Sequence, residues 1–231
     1  MDDAFIFGDV PLGKWPWLPP AFASPEGIVG VGGDLSVETL LTAYRAGIFP
    51  WFNEDDPVIW WSPDPRAIVP FETFHVPKSL DRTLKRHPYR ITRNAAFDDV
   101  VKGCAVRREE GTWVTADVIR SYGELHRAGH AHSLEVWQDR DLVGGIYGVA
   151  IGGFFAGESM FYREKDASKI ALVSLVRYLQ HRGFILFDTQ ILNDHTARFG
   201  AIEIPRSDYM ARLERALLRT NVTFESSPAM R

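Results

Sequence analysis

Residues 133–162 read SLEVWQDRDLVGGIYGVAIGGFFAGESMFY, and residues 169–190 continue KIALVSLVRYLQHRGFILFDTQ. Three apolar runs, Ser133–Gln138, Leu142–Ile151 and Phe154–Tyr162, follow one another, the first two joined by the turn Asp139-Arg140. That pattern predicts a β-meander. Lys169–His181 is apolar over most of its face and stops at Gly183, which predicts a buried helix. Phe184–Asp188 is short and apolar up to its aspartate, so it reads as a central strand.

Working outward, Asn193–Phe199 and Asp208–Leu218 read as helices. Upstream, Thr115 is placed to cap a helix through about Ala128, with Gly129 after it. Asn94 is placed to cap another through about Arg108, Lys78–His87 is a helix closed by Pro88, and Ala67–Pro70 is a strand. Helices, a meander and a helix–strand–helix ending make this an α+β or α/β fold with a mixed central sheet. The first part differs in character. Pro11, Pro16, Pro19, Pro20 and Pro25 punctuate it, a helix runs over Val37–Ala46 between Ser36 and Gly47, and Trp60-Trp61-Ser62-Pro63-Asp64-Pro65 resists helix. The expected division is a small domain over residues 1–63 and a larger one over 64–231. The tail Ser226–Arg231 reads as loose.

Composition narrows the chemistry. With 231 residues, 45% of them apolar, the chain is long enough for a real core. Its single cysteine, Cys104, excludes an internal disulfide and most cysteine-type zinc sites, and reads as inert and buried. The opening Met1-Asp2-Asp3 has no basic or apolar signal region, so a reducing, cytoplasmic setting is expected. The longest charge-free stretch, Leu142–Gly157, holds six glycines and falls short of the ~20 residues a membrane span needs. Gly30-Val31-Gly32-Gly33-Asp34-Leu35 fails the dinucleotide fingerprint, with Leu35 where the third glycine belongs and no clear strand ahead of it. His126, His130 and His132 bring no accompanying carboxylate motif and read as surface histidines, not as a metal site.

Charge is unevenly placed. Residues 1–77 hold three Lys/Arg against eleven Asp/Glu, whereas 78–231 hold twenty-three against nineteen. Lys78, Arg82, Lys85 and Arg86 recur at i, i+4, i+7 and i+8, within an arc of about 100° on a helix. Leu80 and Leu84 face the other way. Such a stripe is either a solvated amphipathic face or a phosphate-binding one, and the asymmetry favours nucleic acid.

Several segments together resemble the leucyl/phenylalanyl-tRNA–protein transferase family: Val31-Gly32-Gly33-Asp34-Leu35, Tyr44-Arg45-Ala46-Gly47-Ile48-Phe49-Pro50-Trp51-Phe52, Trp60-Trp61-Ser62-Pro63, Thr112-Trp113-Val114-Thr115, Gly157-Glu158-Ser159-Met160-Phe161, and Phe187-Asp188-Thr189-Gln190 with His195 beyond. The resemblance implies a GNAT-like larger domain and transfer of Leu, Phe or Met from aminoacyl-tRNA to acceptor proteins beginning with Arg or Lys, marking them for degradation. It implies no metal and no organic cofactor. It places Asp188 and Gln190 at the reacting centre, Gln190 bonding the ester or the attacking amine and Asp188 polarising Gln190 or accepting a proton. An amino-acid pocket of Ile146, Phe155, Met160, Leu172, Leu175, Leu179 and Phe187 follows, although core packing explains the stripe Leu172, Leu175 and Leu179 equally well. Tyr44, Phe49, Trp51, Trp113 and Tyr122 become candidates to hold the terminal adenosine, and Glu158 to bind a ribose hydroxyl or an amine. Lys78, Arg82, Lys85 and Arg86 become tRNA contacts. Before the helix at Lys169, the stretch Tyr162–Ser168 has no glycine to cradle a CoA pyrophosphate. A CoA-dependent N-acyltransferase and a non-catalytic tRNA-binding module are the competing readings.

Overall fold

The computed structural model describes residues 14–86, 89–106 and 114–225. In the first part, β1 (Ile28–Val31), α1 (Val37–Arg45), β2 (Phe49–Pro50) and β3 (Ile59–Trp61) alternate, and the three strands form an antiparallel sheet in the order β1-β3-β2. Ser36 caps α1 by accepting the Thr39 N–H, as its position in the sequence implies. A strand does precede the Gly30–Leu35 stretch, contrary to the sequence reading. Its glycines answer to chain packing: a Cβ on Gly33 would meet Pro16 Cγ at 2.5 Å, and one on Gly30 would meet the Pro16 carbonyl oxygen at 2.0 Å.

The remainder is built on one mixed sheet. Along the chain come β4 (Arg66–Ile68), α2 (Lys78–Arg86), β5 (Arg90–Arg93), α3 (Phe97–Ala105), α4 (Ala116–Arg127), β6 (Ala131–Gln138), β7 (Asp141–Ile151), β8 (Phe154–Tyr162), α5 (Ala167–Arg182), β9 (Leu186–Gln190), α6 (Asp194–Ala197), β10 (Ile202–Ile204) and α7 (Arg206–Leu217). The seven strands lie in the order β10-β4-β9-β8-β7-β6-β5. All neighbours are antiparallel except β8 and β9, which α5 joins as a crossover.

Alternation along the strands sorts side chains into two cores. Phe155 and Phe187 pack with α5 residues Leu172, Leu175, Val176 and Leu179 on one face. Phe154, Ala156, Tyr147 and Leu186 pack on the other with α3, α4, α1 and Trp60 of the small sheet. The second core runs unbroken from the small sheet into the larger one, so the acidic first part is packed against the main sheet.

Two further sequence readings are corrected. Asn94 does not cap a helix: it follows the edge strand β5 at φ +54°, and its side chain accepts the Ser133 N–H at 3.0 Å. The next helix starts three residues later, at Phe97, with no side-chain cap. Nor is His132 a surface residue. It is buried, stacked on Phe224 at 4.3 Å, and burial drives its pKa down to about 4. Cys104 lies near the end of α3 and is half-buried. Among the described residues no group of His, Cys, Asp or Glu is placed to hold a metal ion, and no helix is long and apolar enough to cross a membrane.

Candidate active site

The site follows from where two parallel strands part. β8 and β9 pair at Phe154–Leu186, Phe155–Phe187 and Ala156–Asp188, and the pairing stops there. Beyond it, Gly157–Met160 and Thr189–Gln190 line two hollows opening at the C-terminal ends of the strands. Gly157 is needed at the point of parting, because a Cβ there would sit 2.9 Å from Phe187 Cε2.

The outer hollow is a cleft of about 310 Å³ walled by Phe49, Pro50 and Trp51 on one side and by Glu158, Thr189, Gln190, Ile191 and Asn193 on the other. The inner one, about 90 Å³, is floored by Ile146, Met160, Leu172 and Phe187. Glu158, Thr189, Gln190 and Asn193 line both, so the aromatic cleft and the apolar hollow meet at Glu158 and Gln190.

Gln190 sits at φ +58°, unusual for a residue with a side chain, and the Ile191 N–H closes the turn by donating to the Thr189 carbonyl at 2.7 Å. Its own N–H donates to Asp188 Oδ1 at 2.9 Å, and its side-chain Nε2 lies 3.3 Å from Glu158 Oε1. Asp188 is fully buried behind it. Arg66 Nε donates to Oδ1 at 2.9 Å and Nη2 to Oδ2 at 2.6 Å, and the Tyr209 hydroxyl donates to Oδ2 at 2.9 Å. With four donors on two oxygens, the carboxylate has no room to collect a substrate proton. Asp188 acts on Gln190 through the main chain, not through the side-chain amide that the sequence reading had it polarise.

Glu158 is different in kind. Half-buried between the two hollows, its carboxyl lies against the hydroxyls of Tyr44 and Tyr122, the latter donating to Oε2 at 3.2 Å. Desolvation outweighs those hydrogen bonds, and the nearby Asp188 adds to it, so the Glu158 pKa is pushed up to about 8. A carboxyl that titrates near neutrality at the rim of a cleft is suited to moving protons. The sequence signal was slight: a carboxylate after a glycine at the end of an apolar strand.

The expected residues separate accordingly. Ile146, Met160, Leu172 and Phe187 come together around the inner hollow, whereas Phe155, Leu175 and Leu179 point into the core and line neither cavity. Phe49 and Trp51 form the cleft wall, and Trp51 is 43% exposed. Tyr44 and Tyr122 are enclosed and offer no ring face to a base; they reach the site through their mutually bonded hydroxyls and Glu158. Trp113 lies outside the described residues, as does the tail after Glu225. On α2, Lys78, Arg82, Lys85 and Arg86 are exposed, with Leu80 buried beneath them, and Lys85 pairs with Asp81 at 2.6 Å. His195, on α6, is half-buried, and burial and the charges of Lys169 and Arg198 lower its pKa.

Residues 68–214 match the family described as Leucyl/phenylalanyl-tRNA protein transferase, and residues 33–64 match the N-terminal domain of that family. The chain belongs to the leucyl/phenylalanyl-tRNA protein transferase family. A Leucyl/phenylalanyl-tRNA--protein transferase from Klebsiella pneumoniae subsp. pneumoniae is 54% identical over 190 residues, 82% of each chain. One of the same name from Shigella dysenteriae serotype 1 is 54% identical over 198 residues, 86% of this chain and 85% of the relative. The solved structure of L-PGS from Bacillus licheniformis overlaps 68% of this chain and 51% of its own at 14% identity, with a TM-score of 0.41. At that overlap the fold rests on the strand pairings themselves. Membership in the transferase family makes this chain an aminoacyltransferase.

Proposed function

We propose that this enzyme moves leucine, phenylalanine or methionine from the 3′ end of aminoacyl-tRNA onto the N-terminal Arg or Lys of an acceptor protein, in the cytoplasm and without a metal or organic cofactor. One observation carries the reading. The apolar hollow and the aromatic cleft meet at Glu158 and Gln190, where an amino-acid side chain, its ester carbonyl and the terminal adenosine would be held in one line.

In the cleft, Trp51 and Phe49 take the adenosine, base stacking being worth ~1–3 kcal/mol. In the hollow, Ile146, Met160, Leu172 and Phe187 take the amino-acid side chain, with a flexible methionine letting one cavity accept differently shaped groups. The acceptor's α-amine, with an ordinary pKa near ~8, is partly neutral at physiological pH. It adds to the ester carbonyl; ionised Glu158 accepts the proton the amine sheds and returns it to the departing ribose oxygen, so the product is an amide and a free hydroxyl. Gln190 holds the reacting group beside Glu158. Orientation alone supplies up to ~7–11 kcal/mol of such a barrier. The exposed cations of α2 contact phosphates farther along the tRNA.

The test is direct. Purified protein is mixed with Phe-tRNA labelled on the amino acid and an acceptor peptide beginning with Arg, without metal, ATP or CoA. Label on the Arg peptide but not on one beginning with Asp supports the reading, and no transfer to either refutes it.

A further inference from the structure

We infer that Arg66, which lines neither hollow, is the positioning residue that fixes the aromatic wall of the cleft against its reacting end; the inference rests on the transferase reading above. Arg66 is 1% exposed, on β4 between β10 and β9. Its guanidinium ties together three parts of the chain. Nε and Nη2 grip both oxygens of Asp188 at 2.9 and 2.6 Å. Nη1 donates to the Gly47 carbonyl at 3.1 Å, at the turn leading into Phe49–Trp51. The rings of Phe49 and Tyr209 lie over its carbon at 4.6 and 4.5 Å. Gly47 takes φ +74° at that turn, and a Cβ there would sit 2.6 Å from Met210 Sδ, so the turn favours glycine.

Through Asp188 the same side chain reaches Gln190, whose N–H bonds Asp188 Oδ1. Moving Arg66 would therefore move Phe49 and Trp51 on one side and Gln190 on the other. Stability does not explain such a pair. A fully buried ion pair is often no more stabilising than a well-packed apolar replacement, and its advantage is a single fixed geometry. A rigid fork that engages a carboxylate, a carbonyl and two rings suits a joint between two walls.

The pair also sets the field at Glu158. The groups facing Glu158 are Tyr44 on α1, Tyr122 on α4, Tyr147 on β7, Arg66 on β4 and Asp188 and Gln190 on β9. Asp188 pushes its pKa up and Arg66 draws it down. Loss of either partner alone therefore moves the pH–rate profile in opposite directions, which a purely structural strut would not do.

The experiment compares wild type, Arg66→Lys and the charge-neutral pair Arg66→Gln/Asp188→Asn. Substrates are Phe-tRNA and phenylalanine esterified to adenosine alone, with an Arg peptide as acceptor; kcat, KM, the pH–rate profile and the melting temperature are read. Lysine keeps the charge but cannot reach Gly47 and both Asp188 oxygens together. A drop of at least tenfold in kcat on both substrates, on protein folded at the assay temperature and unrelieved by cooling, is expected. A folded Arg66→Lys protein within twofold of wild type on both substrates would overturn the inference, as would a loss that cooling restores. Should Arg66→Lys not fold, the neutral pair must show the same drop together with a pH–rate limb moved slightly to lower pH, because the upward effect of Asp188 on Glu158 is the larger of the two that are lost. Wild-type rates for that pair overturn the inference, and failure of both variants to fold makes Arg66 a strut and overturns it equally. Absence of transfer by the wild type counts against the proposed reaction itself; transfer by the wild type with no effect of the variants counts against Arg66 alone.

Discussion

Replacing Glu158 with Gln should make the protein more stable at pH 8 and much less active. The carboxyl's ordinary value is 4.5, and the fold pushes it up to about 8. Between those values the unfolded chain holds Glu158 ionised while the folded protein keeps it protonated. The folded state therefore binds the extra proton, and stability falls as pH rises through that window. At ~1.4 kcal/mol per pH unit the penalty reaches roughly 5 kcal/mol above pH 8. A glutamine in that position would never carry it. Weaker bonds from Tyr122 and Gln190 return part of the gain, leaving a net of about 2–4 kcal/mol. At ~2–4 °C per kcal/mol for a chain of this size, the melting temperature rises about 4–16 °C at pH 8 to 9 and stays level or falls by a few degrees near pH 5, where the weaker bonds are no longer offset. The assay is thermal unfolding of wild type and Glu158→Gln at each unit from pH 5 to 9. Transfer by the variant should fall about 10²–10⁴-fold, the usual contribution of a proton-transfer group. A difference between the two melting curves that stays flat from pH 5 to 9 would refute the argument, since Glu158 would then titrate as an ordinary carboxyl.

The other expectations are narrower. Trp51→Ala should raise KM for aminoacyl-tRNA about 5–150-fold with little change in melting temperature if the ring stacks on the adenosine as proposed, because it is exposed at the cleft wall and not part of the core; an unchanged KM counts against the adenosine site. Met160→Ala enlarges the inner hollow and should shift the Phe-to-Leu transfer ratio towards Phe by about tenfold, read by competition between the two charged tRNAs; an equal loss on both would mean that Met160 only supports the fold. Changing Lys78, Arg82, Lys85 and Arg86 to Ala should flatten the salt dependence of tRNA binding by about three to four in log–log slope and leave transfer from phenylalanine esterified to adenosine intact; an unaltered slope places the tRNA elsewhere.

The legible parts of the fold were those whose information is local. The meander β6–β8, the buried helix α5 with Gly183 at its end, and the Ser36 and Thr115 caps each declare themselves within one continuous stretch of chain. The missed strands, β1 to β3, β5 and β10, are two to four residues long and exist because distant segments pair with them: β10 lies against β4, and β5 is an edge strand with exposed arginines at both ends. The site divides in the same way. Asp188, Gln190 and the aromatic residues are named through the resemblance, which rests on contiguous motifs. Arg66 could not be placed, since an arginine after Asp64-Pro65 looks like any loop cation until the chain closes over it. The Glu158 shift is likewise a property of assembly, produced by burial and by the neighbouring Asp188 against the opposing pull of hydroxyls from α1 and α4. No window of sequence around Glu158 contains its cause.

The parting of β8 from β9 ties these features together. A ladder that stops in the middle of a sheet leaves backbone donors and acceptors without their strand partners, and buried groups of that kind must find others. Here the Asp188 carboxylate takes the Gln190 N–H and the Thr189 carbonyl takes the Ile191 N–H. Those bonds hold Gln190 at positive φ, the conformation that brings Thr189 and Gln190 together to the walls of both hollows despite the strand's alternation. Asp188 in turn needs a partner in so dry a place, and Arg66 supplies it while reaching Gly47. The opening in the sheet, the turn at Gln190, the buried ion pair and the placement of the aromatic wall are thus consequences of one another. A substitution at any of them should be felt first in the geometry of the cleft.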